Sequence, residues 1–251
     1  TADNLKFLTD FGGKFVTVMP RTWAEDKEFR NTLRKGKTRW REIYRHSNNR
    51  GKDEAPHVFW SCVGLPRTKS GYRLIWIRSS QKAEDDRLYR EKALRLAELE
   101  LTELGLKLNS RRLKTLRAIK VAVQKILRNR GSKEFLLVTY KERVQLVPRR
   151  TRRGRPAADD PVQMEKRRTW TLRVRRNANA LTREKRTDGV FPLVSNRKRS
   201  SKRAILLIYK YQPHVEKRFS GMKTELEIAP VYLKKPRRAA ALVHAYFLAL
   251  T

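Results

Sequence analysis

Tyr209, Gln212, Glu216, Phe219 and Lys223 are the residues of this chain whose types and spacing could do chemistry. At about 100° per residue, seven steps along a helix return within roughly 20° of the start, so Tyr209, Glu216 and Lys223 fall on one face. A carboxylate there can hold a divalent cation and a lysine two turns on can pin a phosphate, as metal-assisted phosphodiester chemistry requires. Spacing alone favours a plainer reading, an amphipathic helix showing a Glu and a Lys to solvent. Zinc centres are excluded more firmly, because His46, His57, His214 and His244 stand far apart and Cys62 is the single cysteine. The sequence also lacks a Gly-rich phosphate loop ending in Lys-Ser/Thr and a Gly-x-Ser-x-Gly elbow.

Charge defines the partner. Sixty-one Lys and Arg against 25 Asp and Glu leave a formal charge of +36, far beyond what solubility asks, so a polyanion is expected. The densest run, Arg149, Arg150, Arg152, Arg153 and Arg155, cannot enter a core. It reads as phosphate contact, with a solvated loop as the alternative. Cys62 lies in an apolar run and reads as a buried structural thiol, and one cysteine fits a reducing cytosol. The longest apolar stretch, Ala239–Leu250, contains His244 and is shorter than the roughly 20 residues of a membrane helix. A cytoplasmic protein is expected.

The elements that must position these residues are α+β. Leu5, Phe7, Leu8 and Phe11 pattern a short helix before Gly12 and Gly13, and 15–19 read as a strand stopped by Pro20. Thr22 and Glu25 form a capping box for a helix to about Lys35. Strands are expected at 57–63 and 72–77, with Trp60 against Trp76. A long helix over about 84–108, carrying an apolar stripe at 94, 97, 101, 104 and 108, and a basic helix from a Ser110 cap to Arg128 should form a helical hairpin. The stripe is either an intramolecular seam or a dimer contact.

Residues 135–140 and 144–147 look like the arms of a β-hairpin. Trp170, Leu172 and Val174 alternate with Thr171, Arg173 and Arg175, which predicts a strand with one basic face turned to DNA. Asp188 and Gly189 make a turn into a strand at 190–194, and helices are expected over about 202–225 and 236–250.

The stretch from Tyr209 to Lys223, YKYQPHVEKRFSGMK, resembles the Tyr-x2-Arg-x3-Glu-x6-Lys signature of insertion-sequence DDE transposases, whose catalytic core is ribonuclease-H-like. Further segments share the likeness. The run DGVFPLVSN (188–196) is similar to the strand that re-enters that core, and 229–237 with 242–250 to its closing loop and helix. Asn4, Leu5, the double glycine and 15–21 resemble the segment after the second catalytic Asp.

The resemblance implies that Glu216 is the third acid of the triad and a metal ligand. It implies DNA-contacting roles for Tyr209, Lys223 and Gln212, the last standing where the signature has Arg. It implies phosphodiester cleavage and strand transfer with two Mg2+ ions in the complete enzyme, on double-stranded DNA, by a homo-oligomer in a synaptic complex. It divides the chain into core residues 1–20 and 188–251 around a basic insertion, 21–187.

Asp3, Asp10, Asp26 and Asp188 offer no convincing first or second acid; Asp188 is the best stand-in and reads as a turn residue. Thr1 at the start and an apolar run with no helix stop at the end make the chain look cut, so it is expected to bind DNA without cutting it. The alternative reading is a non-catalytic DNA- or RNA-binding basic protein.

Overall fold

Five strands of this chain share one sheet although they come from both of its ends. The computed structural model describes residues 2–36, 38–47, 55–110, 112–150, 162–214, 216–217 and 235–249. In chain order the elements are α1 (Ala2–Asp10), β1 (Val16–Val18), α2 (Ala24–Arg34), β2 (Trp40–His46), β3 (His57–Cys62) and β4 (Arg73–Ser79). They continue as α3 (Ser80–Leu106), α4 (Leu116–Asn129), β5 (Leu136–Arg150), β6 (Val162–Arg176) and α5 (Ala178–Lys185). β7 (Val190–Ser195), α6 (Lys202–Lys210) and α7 (Pro236–Ala249) complete them. The architecture is α+β: a five-stranded sheet of order β1-β7-β4-β3-β2 and a two-stranded sheet of β5 and β6. Two compact units divide it, one of residues 1–29, 38–77 and 191–251, the other of 30–37 and 78–190.

The first unit is built on the larger sheet. β1 runs antiparallel to β7, with Val16 opposite Ser195 and Val18 opposite Leu193, so the expected meeting of the chain's two ends is present. Asn196 fastens that edge: its Oδ1 accepts from Phe15 N at 3.0 Å and its Nδ2 donates to Gly13 O at 2.7 Å. One core forms from Phe59, Ile75, Ile77, Phe191 and Leu193 with Ile205 and Leu206 of α6.

Trp76 stacks on Phe29 of α2, ring centroids 3.7 Å apart, and its Nε1 donates to Leu65 O at 3.0 Å. The expected Trp60–Trp76 contact is thereby corrected. Counting back from the bridge between Arg67 and Arg73 puts Gly64 across from Trp76, and a Cβ at Gly64 would stand 2.6 Å from the indole Cδ1. The glycine leaves the room that the ring fills. β2, an edge strand with a bulge between Glu42 and Tyr44, was not expected from the sequence.

The second unit packs a helical hairpin against one end of the two-stranded sheet. Leu94, Ala97 and Leu101 of α3 close on Ile119, Val123 and Leu127 of α4, and Leu104 and Leu108 join the same cluster, so the apolar stripe is an intramolecular seam. Helix α3 begins at Ser80, with Ser79 as N-cap accepting from Lys82 N. Helix α4 is capped by Thr115 and not by the expected Ser110. Between them Asn109 adopts φ 63°, tolerable for Asn, and its side chain pairs with Trp170 through Trp170 N to Oδ1 at 2.7 Å and Nδ2 to Trp170 O at 3.1 Å.

The expected hairpin of 135–140 with 144–147 is replaced by one uninterrupted strand. β5 pairs with β6 from Leu136 opposite Arg176 to Arg150 opposite Val162. Helix α5 was not anticipated either. The Asp188-Gly189 turn is present, with Gly189 at φ 74° and Asp188 held by Arg90 through bonds of 2.6 and 2.7 Å.

Candidate nucleic-acid interface

Side chains alternate across a strand, and the β5–β6 register therefore sorts the ribbon into two faces. One carries Leu136, Val138 and Tyr140 opposite Arg176, Val174 and Leu172; the apolar residues among these, together with Trp170, join the core of the helical hairpin. The other carries Thr139, Lys141, Arg143 and Gln145 opposite Arg173, Thr171, Thr169 and Arg167. Arg173 and Arg175 are exposed, as the alternation in sequence predicts for a basic face.

Only the stem of the ribbon is covered. Burial falls away after Tyr140, and every β5 residue from Lys141 to Leu146 is exposed, as are Gln163 to Arg168 on β6. Six cations (Lys141, Arg143, Arg149, Lys166, Arg167, Arg168) face two acids in this outer part, 141–149 with 163–171. Both acids are engaged: Glu165 by Arg149 at 3.1 Å and Glu142 by Arg168 at 3.5 Å.

Of the five-arginine run, Arg149 is therefore an exposed ribbon residue and Arg150 ends β5, whereas Arg152, Arg153 and Arg155 lie outside the described residues. The sequence reading missed Lys141, Arg143 and Arg167 as one surface because it bent the chain at 141–143. The signal available was the alternation upstream of Trp170, where Arg167 and Thr169 extend the Thr171, Arg173 and Arg175 pattern.

The other candidate group sits beyond α6. The expected helix over 202–225 stops at Lys210, with Tyr211 as C-cap. Pro213 supplies the reason: it has no N–H to continue the ladder and its ring clashes with the carbonyl four residues back. Helical conformation resumes at Gln212–His214 and at Glu216–Lys217. The straight Tyr209–Glu216–Lys223 stripe is thus broken after Tyr209.

Tyr209 is half-buried, its ring 5.8 Å from that of Phe191, and it packs against the sheet core. Glu216 is exposed, and its Oε1 accepts from Gln212 Nε2 at 2.7 Å. Lys223 lies outside the described residues. Lys210, on the last turn of α6, sits 4.5 Å over the ring of Phe59, and burial lowers its pKa.

Asp188, the best stand-in for a further acid, is buried and committed to Arg90, whose side chain is 12% exposed. Asp3 and Asp10 are exposed on α1. Among the described residues no three His, Cys, Asp or Glu side chains come together as a metal-binding group. Cys62 is a buried free thiol whose pKa is pushed up by burial to about 12, which leaves it unreactive.

Among the described residues no helix is long and apolar enough to cross a membrane. The chain matches no protein-family model, no curated protein and no solved structure.

Proposed function

We propose that this chain is a DNA-binding portion of an insertion-sequence DDE transposase, with Glu216 as one acid of the catalytic triad. The single observation that carries the DNA-binding part is the outer ribbon, a two-stranded arm whose cations are exposed and whose two acids are already paired. Phosphate neutralisation by such a surface releases condensed counterions, which is the main source of affinity for duplex DNA.

Two features support the transposase reading beside the sequence signature. β1 and β7, from opposite ends of the chain, join one sheet, as the two halves of an interrupted ribonuclease-H-like core would. α6 packs on that sheet and leads directly to Glu216. On this reading the protein acts at the nucleoid as a homo-oligomer on transposon ends, and the remaining metal ligands come from acids outside the described group. No catalytic step is assigned to this chain alone.

The test is equilibrium binding to labelled duplex DNA over a range of salt. Log K should fall linearly with log salt. Changing the five arginines between Arg149 and Arg155 to Ser should lower the slope by about 0.9 for each phosphate contact removed. An unchanged slope would show that these five arginines do not touch phosphate. In the complete transposase, Glu216→Gln should keep DNA binding and lose Mg2+-dependent cleavage; cleavage that survives would sink the role of Glu216.

A further inference from the structure

The outer ribbon carries more specific information than its charge. Each arm has 15 residues. The hairpin core covers only the stem, and the outer rungs are exposed on both faces. An isolated two-stranded ribbon is marginal in water, yet β5 and β6 stay paired without a break to Arg150 opposite Val162. A surface held out in this way is built to be covered by a partner. The two faces differ in what they offer. One shows Val144, Leu146 and Met164, exposed at 53%, 58% and 56%. The other shows Lys141, Arg143 and Gln145, paired across the ribbon with Thr171, Thr169 and Arg167.

Resting on the DNA-binding reading above, we propose that this second face reads base edges in the major groove of B-form DNA, with Arg143, Gln145 and Arg167 as the specificity-determining residues. The groove is about 12 Å wide and admits a two-stranded β-ribbon. Arginine donates two hydrogen bonds to guanine O6 and N7, and glutamine pairs with adenine N6 and N7. These side chains are available for that work, since among the described residues no acid pairs with Lys141, Arg143 or Arg167.

The ribbon backbone is also stiffened beneath them. Thr169 Oγ1 donates to Arg143 O at 3.1 Å, tying the strands together at the reading pair. Phosphates then fall to the other cations of the same face, Lys141 and, nearer the stem, Arg173 and Arg175. Duplex RNA is disfavoured, because its deep, narrow major groove does not admit side chains.

Selection from a random duplex DNA library by the full chain tests this. A short motif containing G and A should be enriched. Arg143→Lys with Arg167→Lys keeps the charge, and Gln145→Ala removes a neutral side chain. The ratio of affinity for the motif to affinity for unselected duplex should therefore fall about tenfold for each bidentate pair lost. Replacing guanine by 7-deazaguanine in the motif should lower wild-type affinity likewise.

Four results would overturn the proposal: duplex binding with no enriched motif, a motif that the triple variant still prefers, indifference to 7-deazaguanine, or equal binding of duplex RNA. Failure to bind any duplex would instead remove the DNA-binding reading on which it rests, and the proposal with it.

Discussion

The five-stranded sheet and the two-stranded ribbon hold comparable apolar side chains and use them in opposite ways. All six residues of β7 are buried, and Leu193, Val194 and Val190 are fully so. Val144, Leu146 and Met164 of the ribbon are no less apolar, and each is more than half exposed. Composition does not make this difference; covering layers do. Helix α6 lies on the sheet core of the first unit, while α3 and α4 reach only the stem of the ribbon in the second. An apolar residue stabilises only where another layer removes it from water. The outer ribbon is therefore left without a covering layer among the described residues.

The comparison breaks most sharply at a buried charge. Arg90 and Asp188 are bonded twice, at 2.6 and 2.7 Å, with side chains 12% and 9% exposed. The bonds to Asp188 raise the Arg90 pKa against the opposing effect of burial. Asp188→Ala would leave the guanidinium buried without its partner and should cost about 3–5 kcal/mol in chemical denaturation. Arg90→Met in the same chain should recover much of the loss, since it is the orphaned charge that destabilises. A loss under about 1 kcal/mol for Asp188→Ala would mean that water reaches Arg90.

Next comes a pair of truncations chosen from the two sheets. Leu193→Ala opens a cavity between the sheet and α6 and should destabilise by about 2–5 kcal/mol. Leu146→Ala removes the same atoms from the exposed arm and should stay within about 0.5 kcal/mol. Equal effects on the denaturation midpoint would contradict the distinction, and would show that the arm is covered in the free protein.

How much of this was legible in the sequence follows the same division. Strands with a covered face were found, because burial imposes the apolar run of 190–194 and that of 72–77. β2 was missed, since its bulge between Glu42 and Tyr44 breaks the period of two and an edge strand keeps charged residues. The ribbon was cut short at Lys141, Glu142 and Arg143, three polar residues between apolar runs that look like a turn. No core constrains them, so the pattern could not show that their partners lie past residue 161. Pro148 gave no stop in β5, consistent with the tolerance of proline at positions that donate nothing to a ladder.

Around the candidate acid, types and spacing pointed to Glu216. They missed the effect of Pro213, which ends α6 at Lys210, one residue past the partly buried Tyr209. The seven-residue stripe belongs to an unbroken helix, and α6 ends at Lys210, before Glu216 is reached.

The smallest effect concerns the base of the stem, at the rung where Arg176 stands opposite Leu136. Arg176 donates from Nε to Glu98 Oε1 at 2.7 Å, from Nη2 to Glu98 Oε2 at 2.9 Å, and from Nη1 to Glu91 Oε2 at 3.0 Å. The hydrogen bonds from Arg176 hold the Glu98 carboxyl below its ordinary pKa; burial opposes them, and the charges of Arg176 and Arg95 add to them. A carboxyl lowered in the folded chain contributes stability that is complete above the ordinary glutamate value of about 4.3 and is lost as pH falls through the folded value. With Arg176 37% and Glu98 33% exposed, solvent screening limits the pair to about 1 kcal/mol or less. Arg176→Met should therefore lower the urea midpoint modestly at pH 7, and its gap from the parent chain should close towards pH 3. A gap of the same size at both pH values would mean that Arg176 supports the stem by packing its methylenes, with no contribution from its charge.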